Sequence, residues 1–199
     1  MTMTKPDESW WRTATIYQIY PKSFCDSGSK GMGDLKGITS KLGYIKLLGV
    51  DAIWLTPVYQ SPMVDNGYDI SDYYEINPEF GTMKDFDALL SEAHKLGIRI
   101  IMDIVVNHTS TQHKWFQSAL GDKNSLYRDY YIWKDPVDGA EPNNWQSKFG
   151  SSAWALDEDT GQYYLHLFAK EQADLNWENP SVREEVKEVI HFWARKGVD

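Results

Sequence analysis

Two short stretches combine residue types able to recognise a small polar molecule. In "DIVVNH" (103–108) a carboxylate, Asp103, stands inside an apolar run and an imidazole, His108, closes it. Burying an unpaired carboxylate costs several kcal/mol, so Asp103 requires a cationic or hydrogen-bonding partner. Two readings stand: an ion pair that organises the interior, or the same pair at a reaction centre. His108 can donate a hydrogen bond to a ligand hydroxyl or bind a metal. His113 is poorly spaced to share a metal with it, so metal ligation is not expected. In "VDNGYDISDYY" (64–74) Asp65 and Tyr68 flank the turn pair Asn66-Gly67. A carboxylate beside an aromatic ring suits a sugar, with hydroxyls bonded and one face stacked. The alternative for Asp65 is a carboxylate that merely stabilises its own turn.

The elements that must position these groups follow a repeated pattern. "IKLLGVDAIWLTP" (45–57) and "HKLGIRIIMDIVVNH" (94–108) each run from an amphipathic segment through a glycine to a strongly apolar run. "TIYQIYPKSF" (15–24), "DAIWL" (51–55) and "RIIMDIVV" (99–106) read as strands, the latter two apolar enough for a parallel sheet covered on both faces. Leu35, Ile38, Leu42, Ile45 and Leu48 recur at helical spacing up to Gly49. Thr82 with Asp85 opens a second helix as a capping box, with Met83, Phe86, Leu90 and Ala93 as its apolar stripe. The stretch between, from Thr56 to Gly81, reads as a long polar and aromatic loop. From about 109 to 178 the pattern gives way to Trp, Tyr, Asn and Gly with short strand-like pieces such as "QYYLHLF" (162–168). A structureless loop of that length is implausible, which predicts a small inserted subdomain. Asn179-Pro180 opens a third helix carrying Val182, Val186, Val189 and Trp193.

Strand-helix repeats imply right-handed crossovers and a parallel α/β sheet, whose ligands collect at the carboxyl ends of the strands. Three such units do not close a barrel, which typically needs roughly 250 residues. "FWARKGVD" (192–199) repeats the pattern up to its glycine without the apolar run, so a chain cut before a fourth strand is expected. The corresponding division is 1–108 for the first part of a catalytic domain, 109–178 for the insert and 179–199 for the return to that domain.

The formal net charge of −9 in 199 residues argues against nucleic acid and against an anionic membrane surface. The N-terminus has no apolar stretch of signal-peptide length and the single Cys25 forms no internal disulfide, which points to a cytoplasmic protein. Nine Trp and twelve Tyr suit stacking on sugar faces as well as ordinary core packing.

"DIVVNH", "DNGYDISDYY" (65–74), "GVDAIWLTPVYQSP" (49–62) and "QADLNWENP" (172–180) together resemble the α-amylase superfamily of retaining glycoside hydrolases. The resemblance covers nearly the whole chain from Trp10. It narrows to the α-glucosidase branch, and through "IYPKSF" (19–24), "HTSTQHKWF" (108–116) and "NNWQSKFG" (143–150) towards the trehalose-6-phosphate hydrolases within it. Oligo-1,6-glucosidases tend to carry other residues at Lys22, Lys148 and Ala173.

This resemblance implies the N-terminal part of a (β/α)8 barrel with a small B domain inserted after the third strand. It implies that Asp65 and Tyr68 hold and stack on the non-reducing glucose, that His108 bonds its hydroxyls, and that Asp103 anchors an arginine beside the nucleophile. Phe168 and Gln172 would form the wall contributed by the insert. Lys148 would supply the local cation that an anionic sugar needs near an acidic protein, its alternative being an ordinary solvated lysine. No catalytic residue is expected in this chain, because the nucleophile and general acid lie on the family's fourth and fifth strands, beyond residue 199. Many relatives hold calcium after the first strand, but in "DSGSKGMGD" (26–34) Gly28 and Lys30 stand where oxygen donors would be needed. No metal and no cofactor are therefore expected, and Lys30 is available to neutralise Asp26 and Asp34.

The implied partner is a small-molecule α-glucoside, either a phosphorylated disaccharide, trehalose 6-phosphate, or a neutral oligosaccharide. The isolated chain is expected to be inactive. A reading of another class also stands: a non-catalytic sugar-binding or subunit protein on the same scaffold.

Overall fold

The computed structural model describes residues 9–199. In chain order the elements begin with β1 (Ile16–Ile19), α1 (Pro21–Phe24), α2 (Leu35–Leu47), β2 (Ala52–Leu55), β3 (Tyr59–Gln60) and β4 (Asp72–Ile76). Next come α3 (Met83–Lys95), β5 (Arg99–Met102), β6 (His108–Ser110) and α4 (Lys114–Ala119). The last are β7 (Trp133–Lys134), β8 (Trp154–Asp157), β9 (Gln162–Leu165), β10 (Gln172–Asp174) and α5 (Pro180–Lys196). They gather into two compact units: one of residues up to Thr56 with Glu79–Asp103 and Gly197–Asp199, the other of Pro57–Pro78 and Ile104–Lys196. Residues 1–8, where the absence of a signal peptide was read, lie outside the described residues.

In the first unit β1, β2 and β5 form a parallel sheet in that order, with Ile16 beside Ala52 and Ala52 beside Arg99. Ala52, Ile53, Leu55 and Ile100 are fully buried, as the apolar runs require of a sheet covered on both faces. Asp34 caps α2 by accepting the Gly37 amide hydrogen at 2.7 Å. Leu35, Ile38, Leu42 and Ile45 then face the core, while Leu48 is half exposed where the helix ends ahead of Gly49 at φ +78°. Thr82 and Asp85 form the reciprocal capping box of α3. Phe86, Leu89, Leu90 and Ala93 are its buried residues, and Met83 is only partly covered.

Two strands are shorter than their composition suggests. β1 stops at Ile19 because Pro21 opens the turn of α1, where its missing amide hydrogen is not needed. β5 stops at Met102, so Asp103 follows the strand instead of interrupting it. The Asp103 amide still donates to the Leu55 carbonyl at 3.2 Å. There β2 ends too, and Pro57 beyond it has no N–H with which to extend a ladder.

In the second unit the segment expected to be a loop contains an antiparallel pair, β3 with β4. β6 pairs antiparallel with β10, Ser110 facing Gln172 and His108 facing Asp174. The strand-like "QYYLHLF" yields β9, the middle strand of a three-stranded sheet ordered β7-β9-β8. Tyr59, Tyr73, Trp115, Phe116 and Tyr131 fill the core of this unit. The Tyr73 hydroxyl donates to the Val105 carbonyl at 2.8 Å, and the indole N–H of Trp193 donates to the Tyr73 carbonyl at 2.8 Å. That second bond ties α5 to β4. Pro180 is the first residue of α5, Asn179 Oδ1 accepts the Ser181 amide at 2.9 Å, and Val182, Val186, Val189 and Trp193 are buried along one stripe.

A buried polar cluster braces the same unit. Arg128 pairs with Asp157 at 3.1 Å, donates to the Ala119 carbonyl, Thr160 and Gln162, and lies 3.4 Å over the Trp133 ring. No helix among the described residues is long and apolar enough to cross a membrane.

Candidate functional site

The turn that carries Asp65 is built by a neighbour. Asp69, fully buried, accepts the Val64 and Asp65 amide hydrogens at 2.9 Å each, one on either carboxylate oxygen. Asn66 and Gly67 follow with φ of 53° and 98°, and the Tyr68 amide closes the turn on the Asp65 carbonyl at 2.9 Å. A side chain at Gly67 would meet the Pro57 carbonyl oxygen at 3.0 Å, which is why the left-handed position needs glycine here.

With its turn held by Asp69, the Asp65 side chain is left to point elsewhere. Its Oδ2 accepts a hydrogen bond from Gln172 Nε2 at 2.9 Å. Gln172 is fully buried in β10, and its own Oε1 accepts the Ala169 amide at 3.0 Å, which fixes which end of the amide is the donor. His108, 3 % exposed at the start of β6, places Nε2 3.0 Å from the Tyr68 carbonyl and 3.0 Å from Gln172 Nε2. Asn107 Nδ2 sits 3.2 Å from His108 Nδ1. Nε2 therefore faces both an acceptor, the Tyr68 carbonyl, and a donor, the Gln172 amide, and the tautomer of the ring decides which of the two it bonds. Burial holds the His108 pKa below its ordinary value, against the Tyr68 carbonyl and the Asp65 and Asp69 carboxylates, so the ring is neutral at pH 7.

Phe168 packs its ring 5.1 Å from that of His108, and Phe149 meets Phe168 edge-on at 6.3 Å. Asp65, Tyr68, His108, Phe168 and Gln172 thus share one cluster within the second unit. Lys148 belongs to the same unit, exposed, on a loop pinned by its own amide to the Leu167 carbonyl at 2.8 Å. Asp103 belongs to the first unit, partly buried at the end of β5.

Three residues of this network escape a reading of the residues one by one: Asp69, Asn107 and Asp174. Asp174 alternates with Gln172 along β10 and is 4 % exposed. Its carboxylate accepts the Leu167 amide at 2.6 Å and the Asn107 side chain at 3.2 Å. Burial outweighs both bonds and pushes its pKa up to about 6. The signal for it in sequence is the spacing of Gln172 and Asp174, which puts two polar groups on one face of a strand.

In the loop after α1, Asp26 accepts the Gly28 and Gly31 amides, and Asp34 accepts the Ser27 hydroxyl besides capping α2. Backbone amides and the Ser27 hydroxyl bond these carboxylates, and the Lys30 ammonium forms no ion pair with either among the described residues. Among the described residues no three His, Cys, Asp or Glu side chains group as a metal site.

The model of the alpha amylase catalytic domain matches residues 18–199. The chain belongs to the alpha-amylase family. Trehalose-6-phosphate hydrolase of Bacillus subtilis (strain 168) is 61 % identical over 191 residues, covering 96 % of this chain and 34 % of that protein. Oligo-1,6-glucosidase of Parageobacillus thermoglucosidasius is 60 % identical over 190 residues, with coverage of 96 % and 34 %. The crystal structure of Bacillus licheniformis trehalose-6-phosphate hydrolase superposes with a TM-score of 0.93 at 62 % identity, again over 96 % of this chain and 34 % of that one. The chain therefore spans about a third of the length of the relatives it matches. Its parallel βα units are those of the N-terminal part of an amylase-family (β/α)8 barrel.

Proposed function

We propose that the protein carrying this chain hydrolyses α-glucosidic bonds with retention of configuration, and that this chain holds the glucose ring. What carries the reading is the cluster in which Gln172 aims the Asp65 carboxylate and Phe168 backs His108, in a chain of the alpha-amylase family. Asp65 accepts the hydroxyl hydrogens of the non-reducing glucose and Tyr68 stacks on its face. Gln172 and Phe168 form the wall contributed by residues 109–178, an inserted B domain between barrel segments 1–108 and 179–199. His108 reaches a sugar hydroxyl by exchanging it for the Tyr68 carbonyl. Asp103 anchors an arginine beside the nucleophile.

The chemistry proceeds through an oxocarbenium-like transition state between two carboxyl groups about 5–5.5 Å apart, one attacking and one protonating the leaving oxygen. Both are placed outside residues 1–199, so these residues alone give no turnover. No cofactor enters this scheme. The partner is a small-molecule α-glucoside, with neither nucleic acid nor membrane involved, and the single cysteine fits a cytoplasmic setting.

Within the class we favour trehalose 6-phosphate. Lys148 takes part in no ion pair among the described residues and stands beside Phe149, whose ring reaches Phe168. A free ammonium there suits a sugar phosphate. The second reading, a neutral oligosaccharide with α-1,6 linkages, is favoured by the near-equal identity to an oligo-1,6-glucosidase. Assays of the full-length protein on trehalose 6-phosphate and isomaltose decide between them, and turnover of isomaltose alone overturns the first. Lys148→Ala should raise KM for the phosphorylated sugar about tenfold and leave the neutral one nearly unchanged. Absence of hydrolysis of any α-glucoside, with saccharide binding retained, would return the protein to a non-catalytic binding role.

A further inference from the structure

The second unit carries a paired-indole surface that the glucose-ring cluster does not use. Trp145 is 55 % exposed, and its ring lies nearly parallel to that of Trp154, 6.2 Å away with 22° between the planes. Trp154 is itself buried, packed with Ala153 and Leu165 in the core of the β7-β9-β8 sheet. One residue ties the two tryptophans: Asn143 Oδ1 accepts the Trp154 indole N–H at 2.8 Å and the Trp145 backbone amide at 2.9 Å. The Trp145 carbonyl accepts the Ala153 amide at 2.9 Å. An aromatic face is therefore presented to solvent on a backbone already tied at both ends, and a ligand that lands on it has little left to order.

The indole pair walls a cleft of about 380 Å³, the size of a small-molecule site and not of a protein interface. Its lining is mostly apolar, with Leu165 among the residues beneath. The polar groups at its rim are Lys134, Asp135 and the Asn143 amide. Asp135 is oriented by Gln162, which donates to it at 2.9 Å. One cation against one anion leaves no net charge, so the rim offers donors and acceptors to a neutral ligand. A flat apolar face ringed by such groups fits a pyranose, whose C–H face stacks while its equatorial hydroxyls bond outward.

We propose that this cleft is an accessory binding site for a neutral gluco-oligosaccharide, with one ring stacked on Trp145 and its hydroxyls bonded to Asn143, Lys134 and Asp135. The choice of glucose as the sugar rests on the proposed function above; the platform itself does not.

Maltotriose and isomaltotriose should be titrated by calorimetry into the full-length protein carrying Asp65→Ala, which weakens the glucose-ring cluster. Saturable binding is expected to persist, to weaken about tenfold or more on adding Trp145→Ala, and to survive Trp145→Phe. Val137→Arg puts a bulky charge into the cleft lining at a half-exposed residue and leaves both indoles in the sequence, and should abolish the binding even where Trp145→Ala perturbs the melting curve. Affinity unchanged by both Trp145→Ala and Val137→Arg overturns the proposal. Trp145→Ala in the otherwise native protein should leave kcat/KM on a short aryl α-glucoside as it was. Because the readout is binding, failure to hydrolyse any α-glucoside would sink the proposed function and leave this result legible.

Discussion

Gln172 and Asp65, 107 positions apart in the chain, meet through one hydrogen bond of 2.9 Å in which the amide donates to the carboxylate. The donor is fully buried and its other end is spent on the Ala169 amide, so it has a single orientation. A carboxylate held in this way meets a sugar hydroxyl without first losing rotamer freedom.

Gln172→Ala should therefore separate affinity from rate. It frees Asp65 and strands the Ala169 N–H, at a cost of about 1–3 kcal/mol in stability. In the full-length protein, KM for the α-glucoside should rise about tenfold or more, with a smaller change in kcat. Urea unfolding and steady-state kinetics read the two effects.

Asp174 sets a pH dependence whose sign is fixed by its burial. Its folded pKa of about 6 lies above the ordinary aspartate value of 3.8, so folding favours the protonated acid. The stabilising contribution is complete below about 4 and is lost as pH rises through 6. Asp174→Asn keeps an acceptor for the Leu167 amide and removes the titration. Relative to wild type, the variant should gain up to about 3 kcal/mol on going from pH 4 to pH 7. Chemical denaturation of both proteins across that range checks it.

Arg128 is held by Asp157, Thr160, Gln162 and the Ala119 carbonyl in a buried setting. Arg128→Met strands the Asp157 carboxylate and should destabilise by about 3–5 kcal/mol. Adding Asp157→Asn should recover a large part of that loss, and a thermal melt of the single and double variants measures the recovery.

Gly67→Ala places a methyl group 3.0 Å from the Pro57 carbonyl at a φ of 98°. A loss of about 1–3 kcal/mol is expected. Since the Asp65 turn shifts with it, saccharide binding should weaken more than the melting temperature alone suggests. Calorimetric titration beside a thermal melt tests the pairing of the two effects.

The helices are legible in the sequence because their signals are local. The Thr82–Asp85 box, Pro180 at the head of α5 and the stripe from Val182 to Trp193 each lie within a few turns of chain. The apolar runs of β2 and β5 are legible for the same reason, although in β5 only Ile100 is buried. The pairing of β3 with β4 is not, since a two-residue strand such as β3 exists only through its partner. Nor is the end of β5, which depends on where β2 runs out of amide donors. Within the site, Asn66-Gly67 announces its turn, yet nothing local says that Asp69 holds it or that Asn107 joins His108 to Asp174. Phe168 and Gln172 came into view only through family resemblance, because a ring and an amide in a strand look like ordinary packing.

The antiparallel register of β6 and β10 sets Ser110 against Gln172 and His108 against Asp174. The long excursion between them leaves and re-enters through adjacent threads, like a pouch closed by a drawstring. Its contents can be lengthened, trimmed or exchanged while the drawstring keeps His108 and Gln172 at the same spacing. Under the proposed function, selection can thus retailor which sugars are admitted without resetting the grip on the first.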